Sequence, residues 1–145
     1  MSSAEDLARR FFDLLNQGKA GAALDLMTPD APFEVVPASL KGTAAKEGRR
    51  FLEDLVTAFP DLLIQVRSIM TTAAGSLSIV ETKMEGTQAA DFLGALNQEK
   101  HLDVDQAWMF WASNGKLTGS RAYFCQNQLY RRLAVKRLDR ISILG

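Results

Sequence analysis

The sequence predicts a single α+β domain in which helices cover one face of a curved antiparallel sheet. Three observations lead there. Apolar residues recur at helical spacing up to Pro60 and at every second position after it. The helical segments are grouped ahead of the strands instead of alternating with them. The strand segments are punctuated by turn signals, Ala73-Ala74-Gly75 and Asn114-Gly115, of the kind that close hairpins.

The elements follow in order. Ser2 followed by Glu5 has capping-box spacing, and Leu7, Phe11, Leu14 and Leu15 then mark one helical face until Gly18. Gly21 to Met27 reads as a short second helix before Thr28-Pro29-Asp30, and Phe33 to Val36 as a short strand closed by Pro37. Gly42-Thr43 opens a third helix whose stripe is Phe51, Leu52, Leu55, Ala58 and Phe59; Pro60 ends it. Leu62, Ile64, Val66, Ser68 and Met70 then share one face of a strand, and Leu77 to Glu85 returns. After a connection over Gly86 to Asn97, Lys100 to Ala112 forms a long strand. Leu102, Val104, Gln106, Trp108 and Phe110 lie on one of its faces, and His101, Asp103 and Asp105 on the other. Leu117 to Cys125 is the last strand, and a basic helix or tail runs from about Leu129. A strongly bent sheet under a long helix makes a cone, and pockets in such folds sit at its mouth.

Bulk properties narrow the function. A chain of 145 residues suits one domain, 1–145, that buries a core without metal or disulfide staples. Lys plus Arg and Asp plus Glu balance at 17 each, which excludes a general nucleic-acid binder. Cys125 stands alone, so no internal disulfide forms. The first ten residues lack an apolar run behind a basic start, and no uncharged stretch approaches membrane length; the expected location is the cytoplasm, with no membrane partner. No phosphate-cradling glycine loop or metal-ligand spacing is present, so no cofactor and no metal are expected.

Several residues admit two readings. Glu81, Lys83 and Glu85 form either a solvated ion ladder or a charged group inside the cone. Gln106 and Trp108 are either core or pocket wall, and a lone amide on an apolar face needs a partner. His101 with Asp103 and Asp105 reads more simply as an outer face than as a metal site, and Cys125 as an inert thiol. Arg131, Arg132, Lys136, Arg137 and Arg140 read first as a water-exposed terminal helix, with an acidic partner or a membrane surface as the alternatives.

Three stretches carry a family resemblance. Phe59-Pro60-Asp61-Leu62, and Glu85-Gly86-Thr87 leading to Asp91-Phe92-Leu93-Gly94, resemble SnoaL-like polyketide cyclases. The hairpin from Gly115 to Phe124 resembles the closing strand of limonene epoxide hydrolases. Both families belong to the nuclear-transport-factor-2-like superfamily. The resemblance implies a cone-shaped, cystatin-like curved antiparallel sheet covered by three N-terminal helices. It also implies a homodimer through the open sheet face. It puts the families' catalytic aspartate at Ala122, the cyclases' pocket histidine at Trp108, the hydrolases' Arg-x-Asp at Lys83-x-Glu85 and their Tyr-x-Asn at Phe33-x-Val35. One-step epoxide opening needs two carboxyl groups of different proton affinity and is disfavoured by these replacements. Ring closure needs one acid/base group and a confining pocket.

The expected function is therefore binding of a small apolar molecule, polyketide- or terpenoid-like, with cyclisation or isomerisation by confinement. Glu85 is the expected base and Lys83 sets its ionisation. Phe33, Val35, Val104, Gln106, Trp108, Ala122 and Phe124 line the cavity. The alternative is a non-catalytic binding or dimerisation module that has lost the aspartate.

Overall fold

A computed structural model describes residues 3–134. Helix α1 spans Ala4–Asn16 and α2 Ala20–Leu24; strand β1 is Pro32–Val35 and β2 Leu40–Thr43. A π-helical turn at Ala44–Gly48 leads into α3, Arg49–Ala58. Strands β3 (Leu63–Thr71), β4 (Leu77–Thr87), β5 (His101–Ser113) and β6 (Lys116–Phe124) follow, then α4 (Gln126–Leu133). Among the described residues no helix is long and apolar enough to cross a membrane.

The strands form one six-stranded sheet in the order β2-β1-β6-β5-β4-β3. From β3 to β6 it is an antiparallel meander, as the hairpin signals predict. One pairing departs from the antiparallel pattern: β1 pairs parallel to β6, with Phe33 opposite Ser120 and Val35 opposite Ala122. The third helix also starts later than expected. Gly42-Thr43 belongs to β2, and helix begins only where the Glu47 carboxylate accepts the Thr43 N–H at 2.8 Å. That hydrogen bond holds the Glu47 carboxyl below the usual glutamate range.

Helix α1 lies along the meander because both its ends are tied down. The Ala4 N–H donates to the carbonyl of Gly75 at 2.8 Å, at the β3–β4 turn. At the other end the Asn16 amide takes both backbone groups of Ile64, donating to its carbonyl at 3.0 Å and accepting its N–H at 2.7 Å. The capping box is one residue later than the spacing suggested: Ser3 caps the helix and Asp6 bonds back. Leu7, Phe11, Phe12 and Leu15, the buried stripe of α1, and Phe51, Leu52 and Leu55 of α3 belong to one core cluster with the inner residues of the sheet.

A bulge between Val66 and Ser68 resets the phase of β3. Ile69 therefore packs toward the core, whereas Ser68 and Met70 turn to the outer face, Met70 being 64% exposed. The α3–β3 junction and the long connection after β4 are stitched together, since the Asp61 carboxylate accepts the Thr87 N–H at 2.8 Å. Phe92, from that connection, packs its ring on Phe59 and Phe51. The chain leaves β6 at Phe124, and Cys125 caps α4, its sulfur accepting the Gln128 N–H at 3.4 Å. Of the basic terminal segment, Arg131 and Arg132 lie in α4; Lys136, Arg137 and Arg140 lie outside the described residues.

Candidate functional site

Strand period assigns each side chain to one of two faces. On β4, Ser78, Val80, Thr82 and Met84 are buried against the helices. On β5 the buried set is Leu102, Val104, Gln106, Trp108 and Phe110. Ser120 and Ala122 of β6 and Phe33 and Val35 of β1 continue this inner wall, with Phe124 partly buried at its margin. The seven residues expected to line a cavity thus share one face.

The wall has two unlike ends. At one end it is filled by rings. Trp108 and Phe110 stack at 5.6 Å with planes 4° apart, and Phe11 and Phe12 close over them at 5.3–5.7 Å, edge-on except for the tilted Phe11–Trp108 pair. No hollow is left among these rings, where Trp108 is fully buried. Toward the other end stands Gln106, 9% exposed where Trp108 is 1%. Its side-chain carbonyl accepts the Trp108 indole N–H at 3.1 Å and the Thr82 hydroxyl at 3.2 Å. An indole N–H can only donate, so the amide oxygen is fixed on that side. The amide nitrogen then points away, with the Met84 thioether sulfur at 3.6 Å as its acceptor. Sulfur is a weak acceptor, which leaves strong donor capacity on an apolar wall. The buried Ser120 hydroxyl, on the same wall, has no hydrogen-bond partner among the described residues.

Beyond Gln106 the wall is covered by α4. Leu129 and Leu133 are buried in the same core cluster. The Tyr130 hydroxyl donates to the carbonyl of Leu93 at 2.6 Å, and the Gln98 amide donates to that of Leu133 at 3.0 Å.

Glu85 and Lys83 require a correction of place: they point away from this wall. With Val80, Thr82 and Met84 inward, a period of two turns Glu81, Lys83 and Glu85 to the outer face. There Lys83 pairs with Asp103 at 3.1 Å, not with Glu85. Glu85 faces His101 at 3.7 Å, and Glu81 accepts the Ser68 hydroxyl at 2.7 Å. Among the described residues the buried inner-wall positions of β4, β5, β6 and β1 hold no Asp, Glu, His, Lys or Arg. No cluster of three or more potential metal ligands occurs among them either. Sequence reasoning missed Thr82 and Met84 as partners of Gln106; their alternation with Val80 was the available signal.

The outer face holds a hollow of about 400 Å³ at its β2-β1-β6 end, bounded by Lys41, Glu34, Trp111, Thr118 and Arg121.

The family described as SnoaL-like domain matches residues 8–120. Similar solved structures include a candidate SnoaL-like polyketide cyclase from a Jannaschia species, 19% identical, with a TM-score of 0.79 over 92% of this chain and 93% of that one. A candidate polyketide cyclase from Pseudomonas putida matches at 19% identity and TM-score 0.79, over 92% of this chain and all (100%) of its own. A protein of ketosteroid isomerase-like fold from Catenulispora acidiphila, in complex with trimethylamine, matches at 10% identity and TM-score 0.74, over 90% of this chain and 93% of that one. At these identities the likeness concerns the fold. No curated protein is significantly similar in sequence.

Proposed function

Because this chain belongs to the SnoaL-like domain family and shares its cone-shaped, nuclear-transport-factor-2-like fold, we propose that it binds a neutral, mainly apolar small molecule against its inner sheet face, with Gln106 as the polar contact. One observation carries this reading: the Gln106 amide is locked by Trp108 and Thr82 so that its N–H groups face apolar surroundings with only a sulfur to accept them. A buried donor short of an acceptor is costly, and a ligand oxygen removes that cost. Wall residues without a cation favour a ketone, ester or quinone over a carboxylic acid. A polyketide- or terpenoid-like metabolite has this character: large apolar area and a few carbonyl oxygens. Leu129 and Leu133 of α4 cover the approach, so the ligand displaces them or wedges beside them.

Catalysis, in this reading, has no acid/base residue inside the cone. Cyclisation or isomerisation then rests on holding the reacting ends together, and simple carriage of the metabolite needs nothing more. A base role for Glu85 would have to be exercised from the outer face. A second copy of the chain is proposed to pack on the β3-β4-β5 part of that face, around half-buried Ile79, Ala107 and Met109 beside the Lys83–Asp103 pair, leaving the β2-β1-β6 end open. Size-exclusion with light scattering showing only monomer removes the dimer.

A matched pair of probes tests the binding reading. Acetylnaphthalene and ethylnaphthalene have nearly the same shape and differ in the carbonyl oxygen. The wild-type chain is expected to bind the ketone about tenfold more tightly, the worth of one hydrogen bond. Gln106→Leu should bring the two together by weakening the ketone alone. Failure of both probes to bind overturns the inner-face site; equal binding of both to the wild type overturns the role of Gln106.

A further inference from the structure

We propose that the hollow on the outer face is a separate binding site for a planar aromatic monocarboxylate.

The hollow is built by the backbone. The β5–β6 register slips beside Trp111 and Ala112, which leaves Gly119 opposite Trp111. A Cβ at Gly119 would lie 3.4 Å from Cε3 of Trp111 and 3.8 Å from the carbonyl oxygen of Pro32. Any larger residue there would project into the floor. Glycine in a strand interior costs stability and often marks a place where something must approach closely. The β1–β2 hairpin carries the sheet past β6 and supplies the far wall. The resulting volume, about 400 Å³, suits a molecule of two fused rings.

Its lining is amphipathic in a particular way. Trp111 is half-buried, and its indole and the Pro32 ring both line the hollow and give it apolar surface. The Arg121 guanidinium lies 5.5 Å over the Trp111 ring, and its Nε donates to Glu34 at 3.0 Å. The Tyr123 side chain also faces the guanidinium, so the fork is held between Tyr123 and Glu34 and, with five N–H groups, still has donors to offer. The side chain of Lys41, on the same outer face across from Glu34, has no hydrogen bond or ion pair among the described residues. Thr118 adds a hydroxyl at the register slip. Two cations therefore stand against one carboxylate, an excess of a single positive charge. A monocarboxylate balances it, whereas a dianion would be repelled by Glu34. The aromatic surface adds the demand for a flat body. This assignment does not depend on the inner face, where the wall lacks a cation and selects a neutral guest.

The test uses the full chain and naphthoate, with naphthalenemethanol as the uncharged control. Binding is followed through the indole N–H resonances of Trp111 and Trp108. Naphthoate is expected to move Trp111 and leave Trp108 in place, to bind more weakly as salt is raised, and to outbind the alcohol about tenfold. Lys41→Gln should remove most of that preference. Gly119→Val should abolish binding with the thermal transition retained, and Gln106→Leu should leave naphthoate binding unchanged. The proposal is overturned by no saturable shift of Trp111, by equal binding of acid and alcohol, by indifference to Lys41→Gln, or by loss of binding in Gln106→Leu. That last result would assign naphthoate to the inner face.

Discussion

Replacing Gln106 with glutamate gives a sharp test of how dry and cation-free the inner wall is. The substitution is nearly isosteric. One carboxyl oxygen can still accept from Trp108 at 3.1 Å and Thr82 at 3.2 Å. The other takes the place of the amide nitrogen, beside the Met84 sulfur. A protonated carboxyl fits there, offering an O–H where an N–H stood. An ionised one faces sulfur and carbon with no inner-wall cation in reach. Burial therefore raises the native-state pKa of the new group. A rise of roughly 2–3 units above the ordinary value, at 1.36 kcal/mol per unit, costs roughly 3–4 kcal/mol once the group must ionise. The native state then holds its proton to higher pH than the unfolded chain does. The variant should match the wild type below about pH 4, lose stability as pH rises toward the native pKa, and level off above it. Urea unfolding of both proteins from pH 4 to 8 measures the difference. A gap that does not change with pH would refute the reasoning, because it would mean that the carboxylate finds water or a counter-charge.

Other perturbations follow from named contacts. Phe12→Ala removes a ring 1% exposed that packs on Phe11, Trp108 and Phe110, and should cost about 3–5 kcal/mol in denaturant unfolding. A loss below about 1 kcal/mol would mean that the aromatic end is loosely packed. Ser3→Ala deletes the side-chain half of the α1 cap and should lower stability by about 1 kcal/mol, with faster amide exchange confined to the first turn. Gly86→Ala drives a methyl to 3.0 Å from Cβ of Phe59 and should destabilise by about 1–3 kcal/mol through overpacking. Glu85→Gln should leave acetylnaphthalene binding unchanged and stability within about 1 kcal/mol, since its contact, His101, is an exposed side chain on the outer face. Lost binding in that variant would return Glu85 to the site.

What the sequence discloses depends on whether a feature is local. The inner set Leu102, Val104, Gln106, Trp108 and Phe110 is legible because β5 keeps one period without a break from His101 to Phe110. The same rule, applied to Val80, Thr82 and Met84, turns Glu85 outward; placing it inside the cone followed the family pattern over the strand's own alternation. Met70 was assigned to the wrong face because a single bulged residue reverses every later side chain, and nothing in Val66-Arg67-Ser68 announces it. Strand β2 escaped notice because Leu40–Thr43 contains a glycine, is only partly buried and runs straight into a helix. The contact of Glu34 with Arg121 joins residues 87 apart, and the strand pairing that makes it has no signature in either segment.

The parallel pairing of β1 with β6 also bears on how the protein is made. Phe33 and Val35 come off the ribosome early, but their sheet neighbours, Ser120 and Ala122, come near the end. Met27 and Thr28 likewise wait for Leu117. For most of synthesis the nascent chain holds the greasy side of its first helix without the sheet that shelters it, so the early segment is a natural client for chaperones. Ordering of the first third is thus tied to the arrival of the last strand, and shortening the chain ahead of residue 117 should forfeit the beginning of the domain together with its end.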